Sequence, residues 1–202
     1  LESVREKSKS WDQMTKIRSI CVYCGASSDT RERHRQAAIE FGTLLAAEGI
    51  SLVFGGGRVG LMGLAADAAL EGGGRVVGVI PEFLVAWEVG HADCTELHTT
   101  KTMHERKQRM AELSDAFVIL PGGLGTLDEM FEIVTWRQLR LHEKPIIVAN
   151  IDGYWDPLEK LLQNMTAENY IPGGHGNLIT FVARIDEILP ILRSTPPATG
   201  NL

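Results

Sequence analysis

Five short, uninterrupted apolar runs, each followed by a longer amphipathic stretch, constrain this 202-residue chain more than any other feature. The runs occupy residues 19–24, 50–54, 75–80, 115–120 and 145–151, with a weaker one near 178–182. They are β-branched and about the length of strands buried on both faces. Between them, residues 33–48 put Ala38, Phe41 and Leu45 on one helical stripe. Residues 61–70 are Ala-rich, 103–113 and 126–141 are strongly periodic, and 156–169 follow the fifth run. Such alternation predicts an α/β fold: three layers, with a parallel sheet of about six or seven strands flanked by helices. Nothing divides the chain internally. The expected organisation is a charged extension over 1–16, one domain over 17–193 and a Pro- and Thr-containing tail over 194–202.

Charge and cysteines narrow the function. The 20 basic and 26 acidic residues leave a net charge of −6, which argues against nucleic acid or an anionic membrane as partner. No apolar run approaches the roughly 18–20 residues that span a bilayer. The polar first sixteen residues lack the apolar core of a secretory signal. Cys21 and Cys24 form a C-x-x-C inside an apolar run, where a strand sends side chains three apart to opposite faces. They read as structural cysteines, and with only three in the chain the expected compartment is the reducing cytoplasm.

In folds of this class, ligands bind beyond the carboxyl ends of the strands, and glycine marks three of those ends. They are Gly25-Ala26-Ser27-Ser28, then Gly55-Gly56-Gly57-Arg58-Val59-Gly60-Leu61-Met62-Gly63, then Pro121-Gly122-Gly123-Leu124-Gly125-Thr126. Glycine lets a backbone approach a ligand, and a following helix offers unpaired N–H groups to an anion. Together the loops point to a phosphorylated small molecule. Gly55 to Gly60 also satisfies G-x-G-x-x-G, with Glu82 after the next run, so a dinucleotide-binding oxidoreductase stands as an alternative. Against it, Pro81 intervenes and no second domain would hold a hydride partner. No metal-binding spacing is present.

On a helix, Met103, Arg106, Lys107 and Met110 share one face, so two cations lie along or beside an apolar stripe. Burying an unpaired cation costs several kcal/mol, so either an anion meets them or their stems snorkel to water. His104 and Arg109 fall on the other side. Thr126 to Glu129 has two readings: a capping box, or a carboxylate held one turn above a glycine-lined anion site.

These residues carry a resemblance. Pro121-Gly122-Gly123-x-Gly125-Thr126-x-x-Glu129, preceded by Met103-His104-Glu105-Arg106-Lys107-x-x-Met110, resembles the signature of the LONELY GUY (LOG) family of cytokinin riboside 5′-monophosphate phosphoribohydrolases. The similarity extends to the Gly25 and Gly55 loops and to Glu132-x-x-Thr135-Trp136, over roughly residues 18–150. It implies a Rossmann-like domain, usually a homodimer or an assembly of dimers. It also implies cleavage of the N-glycosidic bond of an adenosine-type nucleoside 5′-monophosphate, without metal or other cofactor. Carried onto this sequence, it makes Arg106 and Glu129 the catalytic pair. It assigns Lys107, Gly123 to Thr126 (with Leu124 and Gly125), Asp128, Thr135 and Glu88 to substrate binding. With them stand the loop residues Gly25, Ser27, Gly55, Gly56, Gly57, Met62 and Gly122. The decarboxylase-like label attached to some bacterial members does not fit, because no recognisable pyridoxal-binding set is present. A non-catalytic module that senses AMP-like ligands remains a second alternative.

Overall fold

The computed structural model describes residues 17–85 and 90–194. Among the described residues, seven strands form one parallel sheet: β1 (Ser19–Tyr23), β2 (Ser51–Phe54), β3 (Val76–Pro81), β4 (Glu96–Thr100), β5 (Ala116–Ile119), β6 (Ile146–Ala149) and β7 (Thr180–Val182). Their spatial order is β4-β3-β2-β1-β5-β6-β7. The chain therefore steps outward from β1 to one edge, then returns to the other side of β1. That reversal opens a crevice between the carboxyl ends of β1 and β5.

The helices are α1 (Glu32–Ala47), α2 (Gly60–Glu71), the short α3 (Glu82–Val85), α4 (Met103–Glu112), α5 (Leu124–Gln138), α6 (Asp156–Ala167) and α7 (Ile188–Ser194). Strand alternation sorts them into two layers. Ile20, Val22, Phe54, Val118 and Leu120 pack with α1, α2 and α7. Cys21, Tyr23, Val53, Phe117 and Ile119 pack with α4, α5 and α6. Each sheet face thus has its own core, as runs apolar at every position require. The two thiols of the C-x-x-C diverge as expected: both are buried and free, Cys21 in one core and Cys24 in the other.

Two departures have physical causes. β4 was not expected, because its sequence, ELHTT, is polar and exposed at a sheet edge, where no face demands apolar residues. The helix expected over 126–141 starts at Leu124 and ends at Gln138. The N-terminal extension, and the tail beyond Ser194, lie outside the described residues; Ser194 itself closes α7.

Candidate active site

The three glycine loops meet. Gly25 N–H donates to Pro121 O at 3.0 Å, and Leu61 N–H donates to Gly25 O at 2.9 Å, tying the ends of β5, β1 and β2 together. Gly60 makes this possible: it sits at φ 70°, and a Cβ there would stand 2.5 Å from the Ala26 carbonyl carbon. The G-x-G-x-x-G pattern thus has a local explanation in loop packing. From the β6 side, Tyr154 Oη donates to Gly122 O at 2.6 Å.

Helix α5 begins at this junction without a side-chain cap. Gly123 is its N-cap, and the first helical bond runs from Leu127 N–H to Gly123 O. The preceding N–H groups of the first turn are left for a ligand, and the helix dipole favours a negative one. The capping-box reading of Thr126 to Glu129 is therefore overturned. Thr126 lies inside the helix, 3% exposed, and a Cβ on Gly122 would collide with its side chain. The side-chain cap of this type belongs instead to α4, where Thr102 Oγ1 accepts from Glu105 N–H at 3.1 Å.

Glu129 is thereby freed for another role. Its Oε1 accepts from Arg106 Nη1 at 3.3 Å. The guanidinium is clamped further: Nε donates to Val79 O at 3.0 Å and Nη2 to Gly55 O at 2.9 Å. Gly55 is glycine because a Cβ would fall on the Arg106 guanidinium, with Met62 Sδ also close at 3.3 Å. Arg106 is 7% exposed and Lys107 6%, so the snorkelling alternative fails for both. The anions they meet belong to α5. Lys107 Nζ contacts Asp128 Oδ2 at 3.1 Å and Glu132 Oε1 at 3.2 Å. Burial alone would lower the lysine pKa, but these two carboxylates outweigh it and hold it above its usual value.

Burial raises the Glu129 pKa from its ordinary value to about 7; Arg106 and Lys107 oppose the shift, while Asp128 and Glu132 add to it. This carboxyl group exchanges its proton near neutrality, as acid–base and charge-stabilising groups do.

The crevice at the switch point is a cleft of about 430 Å³. Of the residues singled out from sequence, Gly25, Ser27, Gly122 and Gly123 line it, while Arg106 and Glu129 do not. The ion pair instead touches the Gly55 loop and α5, both joined to that crevice. Gly56 (φ 75°) and Gly57 hold the adjoining turn, where Gly56 O accepts from His91 N–H at 2.9 Å and Gly57 bridges to Gly90. Leu124 is 87% exposed beside Gly125 at the head of α5. Thr135 lies exposed farther along that helix and is not part of this cleft's lining. Glu88 lies outside the described residues. Sequence reasoning gave no role to Glu132, His34 or Thr30. His34 is four residues before Ala38, on the α1 stripe already recognised as apolar, and a histidine there was the available signal.

A sheet reversing at β1/β5, with glycine loops gathered at the reversal, defines a Rossmann-like α/β protein. Solved structures of that shape include the molybdenum cofactor carrier protein of Chlamydomonas reinhardtii, at TM-score 0.68 and 22% identity, covering 89% of this chain and 100% of that one. The molybdenum cofactor binding protein of Rippkaea orientalis gives TM-score 0.67 and 23% identity, covering 89% and 97%. At such identities they speak for the fold alone. A family profile described as "Possible lysine decarboxylase" matches residues 62–192. The "Probable cytokinin riboside 5'-monophosphate phosphoribohydrolase LOGL9" of Oryza sativa subsp. japonica is 43% identical over 184 residues, 88% of this chain and 81% of the rice protein. The "Cytokinin riboside 5'-monophosphate phosphoribohydrolase LOG1" of Arabidopsis thaliana is 39% identical over 183 residues, 91% of this chain and 86% of that protein. The chain belongs to the LOG family, whose profile carries the lysine decarboxylase description.

Proposed function

We propose that this protein is a hydrolase that cleaves the N-glycosidic bond of adenosine-type nucleoside 5′-monophosphates, cytokinin riboside 5′-monophosphate and AMP among them. The products are the free base and ribose 5-phosphate. The observation that carries this reading is the Arg106–Glu129 contact at 3.3 Å, buried beside an uncapped helix N-terminus. Breaking the bond from C1′ to the base leaves an oxocarbenium-like sugar, and the base departs with the electron pair. A carboxylate at Glu129 stabilises that charge and directs water to C1′; the proton released by water balances the one the departing base takes up. The first-turn N–H groups of α5 hold the phosphate, so the ribose separates it from Glu129.

Arg106 stays protonated throughout, since a guanidinium does not lose its proton near neutrality. With two donors committed to backbone carbonyls and a third to Glu129, it acts as an electrostatic clamp that fixes the carboxylate. Lys107 and Asp128 support this arrangement from the neighbouring turn, and Thr135 and Glu88 complete the substrate-binding set in this reading. Decarboxylation through a Schiff base is disfavoured at this site. Such chemistry needs a neutral amine, and Lys107 is held as an ammonium by two carboxylates.

No metal or redox group is required by this chemistry. The partner is a small nucleotide rather than nucleic acid or a membrane, and no helix among the described residues is long and apolar enough to cross one. In the same reading the enzyme is cytoplasmic, one catalytic domain over 17–193, and a homodimer or an assembly of dimers. Exposed Leu139 and Leu141, just past the end of α5, supply apolar surface for such contact. Incubation with AMP and isopentenyl-AMP, followed by chromatography, tests the activity: free base should appear from the monophosphates. Equal cleavage of the unphosphorylated nucleosides would sink the phosphate anchor.

A further inference from the structure

Two residues that line the cleft between β1 and β5 carry buried polar atoms that the protein leaves unmatched. His34, in the first turn of α1, is 5% exposed, yet its Nε2 has no hydrogen-bond partner. Thr30 Oγ1, just before the N-cap Arg31, is likewise buried and unpartnered. Both residues line the cleft. The imidazole stands edge-on to Tyr154, with ring centroids 5.1 Å apart at 76°, and Tyr154 is itself fastened to Gly122. The wall is therefore built onto the same loop that opens α5.

A buried polar group left without a partner destabilises the fold, so two of them on one wall call for a ligand that satisfies both. The surroundings specify its charge. Helix α1 starts here without a side-chain cap, as α5 does, so two helix N-termini border one cleft, and Arg31 adds a guanidinium. Asp29 is the opposing charge on the lining, and it is exposed. Burial, together with Arg31, lowers the His34 pKa against the opposing pull of Asp152, which favours the neutral ring with its single N–H.

We infer that Thr30 and His34 form a phosphate-recognition wall, the Thr30 hydroxyl and the His34 Nε2–H each donating to an oxygen of a phosphate monoester seated at Gly122–Gly123. The inference rests on the proposed function only for the rest of the ligand, the nucleoside of a 5′-monophosphate. On this view the glycine loop supplies backbone donors, and α1 supplies the side chains that distinguish a monoester from an unphosphorylated sugar.

Calorimetric titration of ribose 5-phosphate and of adenosine, with steady-state kinetics on AMP, tests this in Thr30→Val, His34→Phe and His34→Gln. Thr30→Val and His34→Phe should each weaken ribose 5-phosphate binding and raise KM for AMP by about tenfold, the worth of one such hydrogen bond. The change in kcat should stay within about threefold, and adenosine affinity should not follow. His34→Gln, which keeps an N–H donor, should recover most of the loss. Unchanged ribose 5-phosphate affinity, or equal weakening toward adenosine, would overturn the inference. If His34→Phe fails to give a cooperative melt, Thr30→Val carries the same comparison. The two readings separate cleanly. Base release by an enzyme whose variants bind ribose 5-phosphate normally retains the activity and rejects the wall. Selective loss of ribose 5-phosphate binding in a protein that releases no base retains the wall and rejects the activity.

Discussion

On the two sides of the carboxyl edge, buried cations and neutral side chains meet different fates. On the α4–α5 side the cations are answered within the protein: Arg106 by two carbonyls and Glu129, Lys107 by Asp128 and Glu132. On the α1 side, the buried Thr30 Oγ1 and His34 Nε2 are left without a partner. The difference follows from magnitude. A buried, unpaired ion costs several kcal/mol, a large share of the roughly 5–15 kcal/mol that holds a domain together. A neutral donor costs far less, so a fold can carry two of them until a ligand arrives. The two cations find their partners during folding, whereas Thr30 Oγ1 and His34 Nε2 do not.

The largest expected effect comes from breaking the answered side. Arg106→Ala strips Glu129 of its clamp and leaves the Gly55 and Val79 carbonyls without their donor. It should lower kcat by at least about 100-fold and cost about 3–5 kcal/mol in urea unfolding. Gly55→Ala, which places a methyl where the guanidinium lies, should reproduce the kinetic loss without touching a charged residue. Full activity in Gly55→Ala would show that the clamp is dispensable.

Glu129→Gln should abolish turnover by about 100- to 1,000-fold while ribose 5-phosphate still binds. It also carries a pH signature. With the native pKa raised from about 4.5 to about 7, the folded protein keeps a proton that the unfolded chain has already lost between those values. Wild-type stability should therefore fall as pH rises from about 4.5 to 7 and then level off. Glu129→Gln should lack that fall and melt higher than wild type at pH 8, with the gap closing at pH 5. Activity that needs the carboxylate should rise through about pH 7.

Lys107→Met should cost about 1–3 kcal/mol, since Asp128 can turn to water but Glu132, one of whose oxygens already lacks a partner, cannot readily do so. Its effect on kcat should be smaller than that of Arg106→Ala, because Lys107 reaches Glu129 only through charge. The smallest effect concerns Cys21 and Cys24, whose thiols burial pushes up strongly. They should resist Ellman's reagent in the native protein and react once urea unfolds it.

Sequence patterns were strongest where the physics is local or periodic. The five apolar runs became β1, β2, β3, β5 and β6, because strands buried on both faces must be apolar throughout. β4 escaped notice because an edge strand faces water and writes no such pattern. The spacing of Arg106 and Lys107 placed them beside an apolar stripe, where burial was one of two readings, and the glycine loops forecast close backbone approach. The capping box over Thr126 to Glu129 misled because the helix starts two residues before Thr126. That start is set by contacts of Gly122 with Thr126 and Tyr154, which no spacing encodes.

The order of residues alone settled the layered architecture, the strand ends that carry the loops, and the placing of two cations beside an apolar stripe. Which carboxylate each cation meets, why position 55 tolerates no side chain, and where Thr30 and His34 bury polar atoms without a partner were decided by the tertiary structure. Those properties depend on groups 23 to 51 residues apart for Arg106, or on the absence of a partner for His34. Such relations arise only when sheet order brings distant strand ends to one edge, and helical or strand periodicity carries no information about them.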